Sequence, residues 1–271
     1  MRIDFHVHLA IKEQLLPVPA SFCDGFWPGP TGWNDIVRDA ETLDAYLESQ
    51  GVDYAVGLAE SSPLATGVTT NQFVLERFGK AKRVILFANL NPYTDRDLGG
   101  EVKRLAARGF RGIKLYPTYQ HFFPNDRVLY PMYEACREVG WPVMVHTGSS
   151  IFPGAKIKYG DPVHLDDVAV DFPGLNILLV HGGRGFWYDR AAFLAKLHAN
   201  IFIEVAGLPP QNLLKYFPDL PRLGDKVVFG SDWPANPGIR ANMEAVNELG
   251  LTPETVEKIL GGNAARLLGI K

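Results

Sequence analysis

Short apolar runs rich in β-branched residues recur along the chain at DFHVH, VDYAVGLAE, RVILFANLNP, FRGIKLYP, WPVMVHTG, NILLVHGG, NIFIEVAG and KVVFGSDWP. Strands buried on both faces read this way, as near-continuous apolar stretches bounded by turn residues. Between them lie segments of helical periodicity. From Ala40 to Gln50, Leu43, Tyr46 and Leu47 fall on one helical face while Glu41, Asp44 and Glu48 lie largely off it, which is the pattern of an amphipathic helix. Gly51, Gly79, Gly109, Gly140 and Gly174 each close such a segment before the next run, at the spacing of roughly thirty residues expected of repeated βα units. Eight strands alternating with helices predict an α/β chain folded as a closed (β/α)₈ TIM-type barrel rather than a doubly wound open sheet. A length of 271 residues suits one such barrel, with 1–271 as a single domain.

Two segments depart from this rhythm. Between Leu9 and Asp35 runs a long first βα loop with Pro17, Pro19, Pro28, Pro30, Gly25, Gly29 and Gly32 and the aromatics Phe26, Trp27 and Trp33. It exceeds a simple connector and is expected to cover the barrel mouth. Near the other end Thr252 can cap a helix with Pro253 in its first turn and Glu254 near its positive pole, leading through EKIL and NAARLL to an extra C-terminal helix expected to close the fold from outside the barrel.

In a barrel of this kind the C-terminal ends of the strands carry the chemistry. Here His6 and His8 end the first run, Lys114 sits in the fourth, His146 ends the fifth, His181 the sixth, and Asp232 the eighth. Within DFHVH, alternation puts Asp4, His6 and His8 on one face and Ile3, Phe5 and Val7 on the other. The two imidazoles start roughly 6.6 Å apart along a strand and can both reach one ion at the bond length of about 2.0–2.1 Å that zinc requires. One histidine at a strand end is ordinary, but a set of them with an aspartate is costly to bury without a shared cation. The set therefore reads as metal ligands at His6, His8, His146 and Asp232, with His181 functional beside them. Lys114 is open between a snorkelling lysine, a cation for an anionic substrate and a carbamylated ligand between two metals. His121, His164 and His198 fall in a loop and two helical stretches and read as structural.

The motifs DFHVH, GIKLYP, VMVHTG, LLVHGG and FGSDWP, in this order, together with the ending GNAARLL, resemble the metal-dependent amidohydrolase superfamily. The likeness is to its amidohydrolase-related branch, which contains aminocarboxymuconate semialdehyde decarboxylase, and it extends over nearly the whole chain. That resemblance implies a distorted barrel and a metal, usually zinc, held by His6, His8, His146 and Asp232, with His181 near the substrate. A lysine in a KLYP context carries a bridging carbamate in the dihydroorotase-like branch, whereas many members of the decarboxylase branch lack it, so one or two ions are both compatible with Lys114.

The expected activity is hydrolysis of a C–O or C–N bond in a small organic acid, lactone or amide through a metal-activated water. Asp232 would act as the general base, and His181 would polarise the carbonyl or steady its oxyanion. Lys114 and Arg184, the latter in HGGRG, would bind a substrate carboxylate, each alternatively being a solvated cation. Trp27, Tyr116, Trp187 and Trp233 are candidates for contact with a planar substrate body. The alternative activity is a metal-dependent non-oxidative decarboxylation of an unsaturated or aromatic acid, and a third reading is a non-catalytic barrel that binds metal or a metabolite.

Composition narrows the partners to a small molecule. A formal charge of −3 without long runs of one sign gives no footprint for nucleic acid or an anionic membrane. The chain opens on a strand without a basic, apolar leader and has no apolar run long enough to cross a bilayer, so a cytoplasmic location is expected. Cys23 and Cys136 are too few for a disulfide framework and read as reduced, non-catalytic thiols. Subunit number, including a homo-oligomer, is left open by the sequence.

Overall fold

The architecture follows from ten strands among the described residues, of which eight build the barrel. In the computed structural model, which describes residues 1–27, 32–236 and 238–270, these are β1 (Ile3–His8), β2 (Tyr54–Leu58), β3 (Glu60–Ser62), β4 (Gly67–Thr69), β5 (Val84–Asn89), β6 (Ile113–Leu115), β7 (Val143–Gly148), β8 (Ile177–Arg184), β9 (Ile201–Glu204) and β10 (Val227–Val228). The eight-stranded sheet runs in the order β1-β2-β5-β6-β7-β8-β9-β10, and every pairing within it is parallel. β10 is only two residues long, yet the chain beyond it completes the ring. Phe5 N–H donates to Phe229 O at 3.0 Å, Asp232 N–H to His6 O at 3.1 Å and His8 N–H to Trp233 O at 2.9 Å. The eight runs legible in the sequence are therefore the eight barrel strands.

Packing, more than helix propensity, fixes the outer layer. In the helix Ala40–Ser49, Leu43 and Leu47 are fully buried, and each contributes about 1.5–3 kcal/mol, several times what propensity supplies per residue. The Asp39 carboxylate caps that helix by accepting Thr42 N–H at 2.8 Å. Inside the barrel, alternate strand residues such as Val56, Phe87, Met144 and Leu178 form a second apolar cluster, which Ala264, Leu267 and Leu268 close from the helix Asn263–Leu268. The extra C-terminal helix thus plugs the barrel. Thr252 caps the preceding helix Pro253–Glu257 through its hydroxyl, as the sequence predicts.

Two expectations need correction, and one element was not foreseen. The strict alternation read in DFHVH fails because β1 shifts register between Asp4 and Val7. Ile3 and Phe5 join the interior cluster, whereas Val7 packs with the outer one. Asp4 does not join the histidines: its Oδ1 accepts the backbone N–H of His6 at 3.0 Å and of Ser231 at 2.9 Å, holding the irregular strand in place. The first βα connection is not wholly a loop, since Pro17–Asp24 is a helix with a proline in its first turn, where the missing N–H has no intrahelical partner to lose. Pro28, Gly29 and Pro30 of the same connection lie outside the described residues. Finally, ESSPLATGVTT folds as the antiparallel hairpin of β3 and β4, too short and too polar to be seen as strands beforehand.

Candidate metal centre and active site

Strand direction in a parallel barrel brings all the C-terminal ends to one rim, and there a cavity of about 520 Å³ opens. His6 and His8 from β1, Lys114 from β6, His146 from β7, His181 and Arg184 from β8, and Asp232 beyond β10 all line it. Residues scattered over more than two hundred positions of chain thus meet in one chamber.

At its base the donor atoms crowd together. His6 Nε2 and His8 Nε2 stand 3.2 Å apart, and Asp232 Oδ1 lies 3.2 Å from His8 Nε2 and 3.3 Å from His6 Nε2. His181 belongs to the same group, because one ligand atom each from His6, His181 and Asp232 lie within 4.8 Å of one another. His146 is buried, its ring centroid 4.8 Å from that of His181, and its Nε2 has no hydrogen-bond partner among the described residues. Distance thus groups His181 with His6 and Asp232, and His146 lines the same chamber with an unpartnered nitrogen.

Two carboxylates behind the imidazoles explain the crowding. His6 Nδ1 is 3.4 Å from Glu204 Oε2, and His8 Nδ1 is 3.5 Å from Glu60 Oε2. A carboxylate on Nδ1 holds the proton there and turns Nε2 into a lone pair. Two lone pairs and a carboxylate oxygen facing one point repel one another unless a cation sits among them, and the orphaned His146 nitrogen wants for a partner in the same chamber. The donor set fits a divalent cation of the kind that accepts imidazole and carboxylate ligands. Glu204 and Glu60 went unread in the sequence. Glu204 carried the signal that marked the others, a polar residue ending an apolar run in NIFIEVAG, while Glu60 sits in the unforeseen hairpin.

Electrostatics moves the buried imidazoles and the aspartate by competing causes. Burial, with nearby cations adding to it, holds His6, His146 and His181 well below the usual histidine range. For Asp232 burial alone would push the carboxyl up, but the surrounding His6, His181 and His8 outweigh it and keep the group well below the usual range. Burial pushes Glu204 up to about 8, against the pull of Lys114, and a cation among the imidazoles would favour its ionised, carboxylate form. Burial also brings the Lys114 ammonium down to about 8. Its Nζ lies 3.4 Å from His6 Nε2 and 4.9 Å from the centre of the Tyr116 ring.

The backbone is strained where these side chains are aimed. His181 has φ 62° and Asp232 φ 67°, a left-handed conformation costing a non-glycine residue about 1–3 kcal/mol and typical of functional positions. His181 Nδ1 is fixed by Ala206 O at 2.7 Å. Arg184 donates from Nη2 to Ser149 O at 3.1 Å and brings Nη1 to 3.8 Å from Asp232 Oδ2, leaving the guanidinium partly exposed to the cavity.

Above this polar floor the walls are apolar. Phe22 and Phe26 from the first connection, with Tyr116, Tyr119 and Phe152, line the chamber, so the first connection does lie over the mouth. Trp27, Trp187 and Trp233 are not among the lining residues; Trp27 and Trp233 instead pack on Tyr46. His121, His164 and His198 also lie elsewhere, His198 bonded to Asp166 at 2.6 Å. Cys23 and Cys136 are free and buried, and burial pushes the Cys23 thiol up to about 12. Among the described residues no helix is long and apolar enough to cross a membrane.

Comparison with known proteins places this site in context. An uncharacterised TIM-barrel protein from Bordetella bronchiseptica is 23% identical, with a TM-score of 0.79 over 99% of this chain and 98% of that one. A 5-carboxyvanillate decarboxylase from Novosphingobium aromaticivorans, solved with manganese and 4-hydroxy-3-methoxy-5-nitrobenzoic acid, is 16% identical, with a TM-score of 0.71 over 100% and 96% of the two chains. A probable 2-pyrone-4,6-dicarboxylic acid hydrolase from Acinetobacter baumannii, with citric acid bound, is 16% identical, with a TM-score of 0.67 over 99% of both. At these identities the likeness is one of fold, a TIM barrel. No curated protein sequence matches the chain. The sequence profile described as Amidohydrolase, however, matches residues 3–270, and the chain belongs to that enzyme family.

Proposed function

We propose that this enzyme hydrolyses a C–O or C–N bond of a small organic acid, lactone or amide at a divalent metal held by His6, His8 and Asp232, with His146 or His181 completing the set. The observation that carries the proposal is the approach of His6 Nε2, His8 Nε2 and Asp232 Oδ1 to within 3.2–3.3 Å of one another. When bound, a divalent cation supplies Lewis acidity, making water a nucleophile near neutral pH and polarising a carbonyl. Zinc is the ion we propose, since two neutral imidazoles and a carboxylate suit it.

The chain's own residues then manage charge and protons. Asp232 is anionic and borders the cavity, so it accepts the proton released as water adds to the carbonyl carbon and returns it to the leaving nitrogen or oxygen. His181 needs a different role from the one its position in the sequence suggests. Its Nδ1 must donate to Ala206 O, because a carbonyl only accepts, and burial keeps the ring neutral. Nε2 therefore carries a lone pair and serves as ligand or proton acceptor, not as a donor to an oxyanion. Arg184 and Lys114 are the cations left to receive a substrate carboxylate or developing negative charge.

Decarboxylation is the second reading, favoured by the flat apolar walls of Phe22, Tyr119 and Phe152, which suit an unsaturated or aromatic acid. The manganese-bound decarboxylase and the citrate-bound hydrolase of similar fold support an acidic substrate under either reading. Turnover in ¹⁸O-water separates them: hydrolysis puts label into product, whereas decarboxylation releases carbon dioxide and takes solvent hydrogen onto carbon. Replacing Asp232 by Asn is expected to lower kcat by about 10²–10⁴-fold, and unchanged turnover would overturn the role given to it.

A further inference from the structure

Glu204 is a glutamate with no solvent exposure at the end of β9, and its two oxygens are divided among three neighbours. Oε1 accepts Ala206 N–H at 2.9 Å, while Oε2 lies 3.4 Å from His6 Nδ1 and 3.4 Å from His181 N. The turn it fixes carries Ala206, whose carbonyl accepts His181 Nδ1–H at 2.7 Å. We propose that Glu204 is the positioning residue of the centre, one carboxylate setting the tautomer of His6 directly and that of His181 through Ala206, so that both rings turn Nε2 lone pairs into the chamber where a cation would be held. The inference rests on the metal-centre reading given above.

Two features argue that the carboxylate is there for the histidines and not for packing. A side chain of the same volume without charge would fill this place at lower desolvation cost, because a buried carboxylate is expensive even when hydrogen-bonded. Room is also kept for it on the neighbouring segment: a Cβ on Gly230 would collide with Glu204 Oε1 and approach His6 Cβ at 2.8 Å. His8, by contrast, faces Glu60, a carboxylate on the short β3–β4 hairpin that also receives the Thr66 hydroxyl. The two β1 histidines are thus oriented by different elements, and only Glu204 reaches the β8 histidine as well.

The test measures zinc affinity of the metal-free protein by competition with a chromophoric chelator, and reads tautomers from ¹⁵N spectra of histidine-labelled protein. In the wild type His6 and His181 are expected as Nδ1–H tautomers. Glu204→Gln should weaken zinc by about 10–100-fold with unchanged circular dichroism, Glu204→Leu should lose more and mix the His6 tautomers, and Glu204→Asp should fall between wild type and Gln. If Gln and Leu variants that keep the fold bind zinc within roughly threefold of wild type and keep both tautomers, Glu204 only fills space and the inference is overturned. Should the Leu variant fail to fold, the nearly isosteric Gln and the shortened Asp still decide. Wild-type protein that binds neither zinc nor manganese would instead sink the metal-centre reading, and the tautomer spectra would then judge Glu204 separately.

Discussion

The carboxylate of Asp4 accepts the backbone N–H of Ser231 at 2.9 Å, across the seam where the barrel closes. The same oxygen takes the N–H of His6 at 3.0 Å, so one buried acceptor ties the irregular part of β1 to the segment that leads into Asp232. Its other oxygen has no hydrogen-bond partner among the described residues, and burial pushes the group up to about 6.

Replacing Asp4 by Ala leaves two buried amides without that acceptor, each worth about 1–3 kcal/mol, while relieving the cost of burying a carboxyl. A net loss of about 2 kcal/mol is expected by urea denaturation, together with weaker metal binding because His6 and Asp232 are both displaced. Asp4→Asn keeps the accepting oxygen and should lose less. Equal stability and metal affinity in the Ala variant would show that the seam does not depend on Asp4.

Metal removal makes the second prediction. A cation that binds only the folded chain stabilises it by about 2.7 kcal/mol at a hundredfold excess over Kd, and for a chain of this size each kcal/mol moves Tm by roughly 2–4 °C. Dialysis against a chelator should therefore lower Tm by several degrees and abolish turnover, and zinc or manganese should restore both. A melting curve indifferent to chelator would contradict a centre built from His6, His8 and Asp232.

Much of this architecture is legible in the chain because parallel strands buried on both faces leave long apolar runs, and because the residue ending each run lands at the same rim. His6, His8, His146, His181 and Asp232 meet in one chamber for that reason. What escaped has physical causes too. The register shift that turns Asp4 away from the histidines is a local backbone irregularity that alternation cannot announce. Glu60 rides on three-residue strands with little β-branched content, and the aromatics that line the chamber, Phe22 and Phe152 among them, look in sequence like ordinary core residues. Tautomers are invisible until partners are known: the sequence places His181 near the substrate carbonyl, and only the structure sets its Nδ1 against Ala206 O.

Acid sensitivity gives a third prediction, away from the site. Asp39 is held down to about 2, first by the Thr42 backbone N–H and then by the Thr42 hydroxyl. A folded-state value below the unfolded one of about 3.9 means that its contribution is complete above that pH and disappears as pH falls through about 2. Asp39→Ala should therefore lower the urea midpoint at pH 7, and the gap from wild type should close near pH 2. Asp39→Asn, which caps without titrating, should show less acid dependence than wild type. A gap that stays constant from pH 7 to pH 2 would rule out the Asp39 carboxylate as its source.

Gly207 offers a way to disturb the site without touching a polar group. It has φ +65°, and a Cβ built on it would lie 2.5 Å from Asp232 Oδ2 and 2.8 Å from Arg184 Nη1. Gly250 has a similar φ of +73°, and a Cβ there would meet nothing within 4 Å, so it shares the backbone strain without the collision. Both Ala variants should lose about 1 kcal/mol of stability from the left-handed backbone. Only Gly207→Ala should also lower kcat/KM, by about 10²-fold if Asp232 is displaced by about 1 Å. Matched losses of stability with kcat/KM intact in both would mean that Asp232 and Arg184 yield to the methyl group, and that their placement is less exacting than the geometry of the chamber implies.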